Sequence, residues 1–136
     1  MPFLNEISVR LDANIAGLTA GTNLWRSISP NDPDASVSLF EYDGGLAPVL
    51  GLGETGGVKW ENVSLRVEVR GAPRDYTTPR ATAELIYNDL AKVQGSTLSS
   101  TIYHIIQPLQ SPFLLEVDKK ERPIFAINFR CEKERS

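Results

Sequence analysis

The stretch GLGETG, residues 51–56, has the G-x-G-x-x-G pattern with which dinucleotide-binding proteins wrap a pyrophosphate. In such a site the first glycine ends a strand and the last opens a helix, so that free N–H groups at the helix N-terminus meet the phosphate oxygens. Here Gly56 leads instead into VSLRVEVR, residues 63–70, where Val63, Leu65, Val67 and Val69 alternate with Ser64, Arg66, Glu68 and Arg70 and predict a strand. No helix supplies the N–H groups, so the glycines are read as loop residues. His104 is the single histidine, set between Tyr103 and Ile105 in a β-rich run. A nucleophilic triad built on it would need a serine and an acid brought in by the fold, and the G-x-S-x-G elbow is absent, so His104 is read as structural. Neither a D-x-D loop nor an H-E-x-x-H helix is present, so no metal is expected. Nothing suggests a cofactor.

The remaining charged groups are equally plain. Lys119, Lys120 and Arg122 form the densest basic cluster, but Asp118 and Glu121 interrupt it, which reads as a solvated turn. Arg66 and Arg70 share the polar side of their strand with Glu68, a face that either meets solvent or meets another subunit. With 17 acidic and 14 basic side chains the net charge is -3, which argues against general affinity for a nucleic-acid backbone. Cys131 is the only cysteine, so no intrachain disulfide or multi-cysteine zinc site is possible and a reducing compartment fits. The N-terminal MPFLNEISVRLDANIAG lacks the basic and apolar regions of a signal peptide, and no apolar run approaches the ~20 residues that span a bilayer. A chain made in the cytoplasm and not bound to a membrane is expected.

The elements that would carry these residues can be read from periodicity. Leu4, Ile7, Leu11 and Ile15 form one stripe of an amphipathic helix that Gly17 can terminate. SPNDPDAS is a turn, and SVSLFEY, residues 36–42, a strand. The glycine-rich residues 43–57 make a long loop that also carries Leu46, Val49, Leu50 and Leu52, and apolar side chains on such a loop point to a partner. Thr78 as N-cap, Pro79 at the first helical position and Gly95 beyond the end bracket a second helix, with Ala83, Ile86, Leu90 and Val93 on one face and Tyr87 beside them. Residues 96–108 offer a short strand, a Ser99-Ser100 turn and a longer strand; Pro112 then breaks the chain, and Phe125, Ile127 and Phe129 alternate along a last strand. These elements predict one α+β domain over residues 1–136, an antiparallel or mixed sheet of about four strands with two helices packed on it, in the order α-β-β-α-β-β, and a frayed tail at 132–136.

Several stretches, taken in order, resemble the tail terminator proteins of long-tailed bacteriophages of the siphovirus type, also described as tail completion or phage minor capsid proteins. They are ISPNDPDASVSLFEYDGG, then VSLRVEVRG, the Thr78-Pro79 helix with LIYNDL, and YHIIQPLQSPFLLEVDKKERPIFAINFR. The Ser99-Ser100 turn departs from the Asn-Gly expected there. The resemblance implies a virion structural protein without catalysis, which forms a ring, typically hexameric, at the neck. Such a ring stops tail tube polymerisation and meets the tail tube protein on one side and the head-tail connector or stopper on the other. Genome DNA passes through its lumen without specific binding, which suits an acidic protein. A ring joins unlike surfaces of neighbouring copies. Leu46, Val49, Leu50, Leu52, Arg66, Glu68, Arg70, Pro112 and Phe113 are the candidate interface residues. The runner-up is another neck or tail protein, a connector or a tube subunit; a small enzyme ranks below both.

Overall fold

The computed structural model describes residues 1–42 and 60–135. Two helices and seven strands follow one another as α1 (Phe3–Asn14), β1 (Leu24–Arg26), β2 (Ser36–Tyr42), β3 (Trp60–Arg70), α2 (Thr77–Leu90), β4 (Gln94–Leu98), β5 (Thr101–Pro108), β6 (Phe113–Val117) and β7 (Pro123–Glu134). The α+β class stands, but the expected four strands become seven in a single mixed sheet. The strands that periodicity does not reveal are β1, only three residues long and parallel to β2, and β6, FLLEV, without alternation, while the short strand read before the Ser99-Ser100 turn is β4, which starts two residues earlier at Gln94.

The sheet runs β1-β2-β3-β7-β5-β4, and β7 is its axis. One side of β7 pairs along its length with β3, from Arg70↔Ile124 to Trp60↔Glu134. Its other side is shared: the first half pairs with β6 and the second with β5. Pro112, which lacks an N–H for a ladder, sits at the break between the two. Both helices cover one face of the sheet, where Val63, Leu65, Val67 and Val69 of β3 and Phe125, Ile127, Phe129 and Cys131 of β7 are buried against Ile7, Leu11, Ile86 and Leu90. Burial pushes the Cys131 thiol up, which keeps it protonated and inert.

Polar groups pin the helices to this core. Glu6 of α1 is fully buried and accepts hydrogen bonds from the Tyr103 hydroxyl at 2.8 Å and from the Thr101 hydroxyl. Burial, and then the bond to Glu6, push the Tyr103 phenol above its ordinary value, so it remains a donor. Arg10 of α1 joins Asp89 of α2 at 3.0 Å.

Helix boundaries differ slightly from the sequence reading. α2 begins at Thr77, Asp75 rather than Thr78 supplies the capping oxygen (to the Thr78 N–H, 3.2 Å), and Pro79 stands third in the helix. Gly95 does not cap the helix but lies in β4 with φ +57°. Ser99 and Ser100 both adopt positive φ, at 46° and 72°, so two serines hold the conformation that an Asn-Gly turn takes at little cost. β7 runs on through Glu134, with Lys133 buried and paired to Glu61 at 2.9 Å, so strand pairing extends into the stretch expected to fray.

Candidate assembly surface

The helices leave the other sheet face to its own side chains. Down β3 this face carries Asn62, Ser64, Arg66 and Glu68, opposite Glu132, Arg130, Asn128 and Ala126 of β7. The Arg66 guanidinium donates to Asn128 Oδ1 at 2.9 Å. Burial pushes the Glu68 carboxyl above its usual range, Arg66 draws it back, and the neighbouring Glu116 carboxylate adds to the rise. Of the candidate interface residues, Arg66 and Glu68 therefore lie on this face and are half-buried.

Arg70 ends the same strand but is buried. Its guanidinium donates to the carbonyls of Asp34 (2.8 Å) and Pro33 (2.8 Å) and to Ser29 Oγ (3.3 Å), holding down residues 29–34. Arg122 grips the same loop from the far side. It is 4% exposed and donates to the Asn31 carbonyl at 2.7 Å, to Asp34 Oδ1 at 3.2 Å and to Asp118 Oδ2 at 2.8 Å. The cluster at 118–122 is thus only partly the solvated turn its composition suggests: Lys119 and Lys120 are exposed, while Arg122 is a buried clamp. Alternation along a single segment gives no sign of this, because the partner loop lies some ninety residues earlier.

Beside this clamp lies a group of exposed apolar side chains. β6 pairs only with β7, which leaves its other edge open among the described residues. Leu114 (46% exposed), Leu115 and Val117 (55%) project from it, and Leu109 and Tyr76 are exposed nearby. Natural edge strands more often carry charges, bulges or covering segments. Tyr76, Leu114, Val117 and Pro123, with the ion-paired Arg74 and Glu121, line an open groove of about 350 Å³. Tyr76 is held edge-on against Phe125, ring centroids 5.4 Å apart. Pro112 is buried, its carbonyl accepting from Arg80 at 2.6 Å, and Phe113 is half-buried opposite Ala126. These two anchor the edge, and the side chains that follow them form its apolar surface. Leu46, Val49, Leu50 and Leu52 lie outside the described residues.

His104 sits at an irregularity in the β5–β7 pairing, exposed, with its ring 3.7 Å from that of Trp60 and Nδ1 3.1 Å from Glu132 Oε1. It is a surface residue with an acid and an indole for company, and no serine or cysteine nucleophile is among these contacts. A further crevice of about 230 Å³, between the end of α1 and the start of α2, is lined in part by Ser36, Asp75, Thr78 and Thr82 and does not include His104. Among the described residues no group of His, Cys, Asp and Glu is placed to hold a metal ion, and no helix is long and apolar enough to cross a membrane.

No protein-family model and no curated protein matches the sequence. Solved structures share the fold. A chain of the structure described as the virion of a native gene transfer agent particle superposes with a TM-score of 0.64 at 19% identity, over 92% of this chain and 84% of that one. A second solved chain, whose name states no role, superposes with a TM-score of 0.55 at 9% identity, over 100% of this chain and 98% of the other.

Proposed function

We propose that the protein is a structural component of a phage-type particle, a ring-forming tail terminator at the head-proximal end of the tail. The observation that carries this reading is the shared fold with a virion chain over 92% of the length, at a similarity too low to transmit residue identities. The ordered stretches of the tail terminator resemblance supply the position at the neck, the tail tube and the connector or stopper as partners, and the hexamer as the expected ring. In this reading the work is done by shape and edges. One patch of each copy meets a different patch on the next, and the rotation closes. Arg66 and Glu68 on the sheet face away from the helices, the β6 edge that Pro112 and Phe113 anchor, and the apolar residues 46, 49, 50 and 52 are the proposed contacts, while Arg70 serves the fold. No catalytic step and no cofactor belong to this role. The acidic balance lets DNA slide through the lumen without being held.

Deletion of the gene followed by electron microscopy of the lysate tests the proposal: tails of uncontrolled length that fail to join filled heads are expected. Normal joined particles would overturn it. A tube subunit or connector is the second reading, since the virion likeness names a particle and no position within it. The purified protein separates them, because a tube subunit grows into long cylinders and a terminator stops at a ring or remains monomeric.

A further inference from the structure

We propose that the crevice between the end of α1 and the start of α2 binds a small free alkylamine, its carbon chain on the crevice floor and its protonated nitrogen against Asp75. Among the described residues none of the proposed assembly contacts lines this crevice, so the site stands independently of that reading. The floor is apolar and buried, formed by Leu18, Val37, Val69 and Pro79. The rim is polar and reaches solvent, with Asp75, Thr78 and Thr82 along the α2 side. At about 230 Å³ the space is smaller than the roughly 300–1,000 Å³ of sites that take a drug-sized ligand. It suits a chain of a few carbons with one polar head.

The charges around the crevice decide the sign of that head. Asp75 is half-buried, its Oδ1 accepts the Thr78 N–H at 3.2 Å, and it makes no ion pair among the described residues. The chain just past the end of α1, Ala16 and Gly17, forms the opposite wall, so the crevice lies at the partially negative C-terminus of a helix whose last turn carries no basic side chain. Arg70 also lines the crevice, but its guanidinium is committed to the Asp34 and Pro33 carbonyls and to Ser29 Oγ. The start of α2 offers an anion little, because Asp75 already takes the Thr78 N–H and Pro79 has none. A cation is therefore favoured. The order of floor and rim then selects a free amine over a lysine of a neighbouring protein. A lysine entering from outside would carry its charge onto the apolar floor, where an unpaired charge is costly. A free alkylamine lays its chain there and keeps its nitrogen at the rim, within the reach of the Asp75 carboxylate.

Titration of the full-length protein at pH 7, followed by amide chemical shifts, tests the site. The probes are n-butylammonium, 1-butanol and butyrate, which share one chain and differ in the charge of the head. Saturable shifts with n-butylammonium are expected at Gly17, Val37, Gly71 and Thr78, with an affinity roughly tenfold above that of butanol and no saturation with butyrate. Asp75→Asn keeps a capping oxygen for the Thr78 N–H and removes the charge, so it should lower the amine's affinity to that of butanol. Ala16→Leu, an exposed change that fills the crevice, should abolish binding of both while the circular dichroism spectrum stays as in the wild type. Absence of saturation by the amine, shifts scattered away from the crevice, equal affinity for butanol, preference for butyrate, or unchanged amine binding in either variant would sink the proposal. So would carbodiimide coupling of Asp75 to a lysine of another protein in purified particles, since that would make the occupant a side chain.

Discussion

Replacing Arg122 with alanine should lower folding stability by about 2–3 kcal/mol. The side chain is 4% exposed and makes charge-assisted bonds to three residues, at 2.7 Å to the Asn31 carbonyl, 2.8 Å to Asp118 and 3.2 Å to Asp34. Breaking a fully buried pair costs about 3–5 kcal/mol. Asp34 keeps close to half of its side chain in water, so its share is screened and the figure falls below that range. In a chain of this size the loss corresponds to a fall in Tm of roughly 6–12 °C. Urea unfolding followed by tryptophan fluorescence measures it, and Arg122→Lys, which keeps the charge but not the planar fork, should fall between. The pH dependence has a definite sign. Burial alone would raise the Asp118 carboxyl, but the N–H and guanidinium bonds from Arg122 and the Lys120 N–H outweigh it and hold the group below its ordinary value. A depressed carboxyl stabilises the fold above its unfolded pKa, near 4, and loses that contribution as the pH falls through the folded value. The gap between wild type and Arg122→Ala should therefore narrow below about pH 4. A loss under about 0.5 kcal/mol at neutral pH, the size of an ordinary surface change, would refute the clamp.

Three further outcomes are expected. Gly71→Ala should destabilise by about 1–3 kcal/mol, read from urea midpoints, because its Cβ would meet Pro79 Cγ at 2.5 Å and the Asp75 carbonyl at 2.9 Å, where β3 passes into α2. Ser100→Gly should stabilise by about 0.5–1 kcal/mol in thermal unfolding, since relief of a positive φ outweighs the added freedom of the unfolded chain. Glu68→Gln should stabilise the monomer at pH 7: the raised Glu68 carboxyl contributes fully below its unfolded pKa and loses that contribution as the pH rises through the folded value. The difference should vanish below about pH 4, and a destabilised variant at pH 7 would show that the bond network around Arg66 outweighs burial.

The sequence was informative where one element faces one environment. β2 was bounded at both ends by its composition, and the stripes of α1 and α2 point at the core as their spacing requires. It was uninformative where a residue's role depends on a distant segment. Arg70 alternates like its neighbours, yet its strand ends under the 29–34 loop, and that loop rather than solvent or a subunit receives the guanidinium. Arg122 sits in a run of charges whose local pattern is that of any exposed turn. β6 was hidden for a different reason. A strand with one buried face alternates, and FLLEV does not, because among the described residues one of its ladders and much of its side-chain surface are left open.

That failure of periodicity is itself informative about assembly. A five-residue edge strand with consecutive leucines satisfies neither the rule for a half-buried strand nor the rule for a protected edge. Among the described residues such a sequence leaves one ladder of β6 unpaired, and a strand laid beside it would satisfy that ladder. The two arginine clamps sharpen the point. Arg122 lies between the end of β6 and the start of β7, and Arg70 ends the strand that pairs with β7, so both fix the end of the sheet where the β6 edge stands open. A rigid edge binds with less loss of conformational freedom than one that must be ordered on contact. The bonds within the 29–34 and 118–122 turns therefore keep the β6 end of the sheet ordered, and loosening the clamp with Arg122→Lys should speed amide hydrogen exchange along β6 even where the variant remains folded.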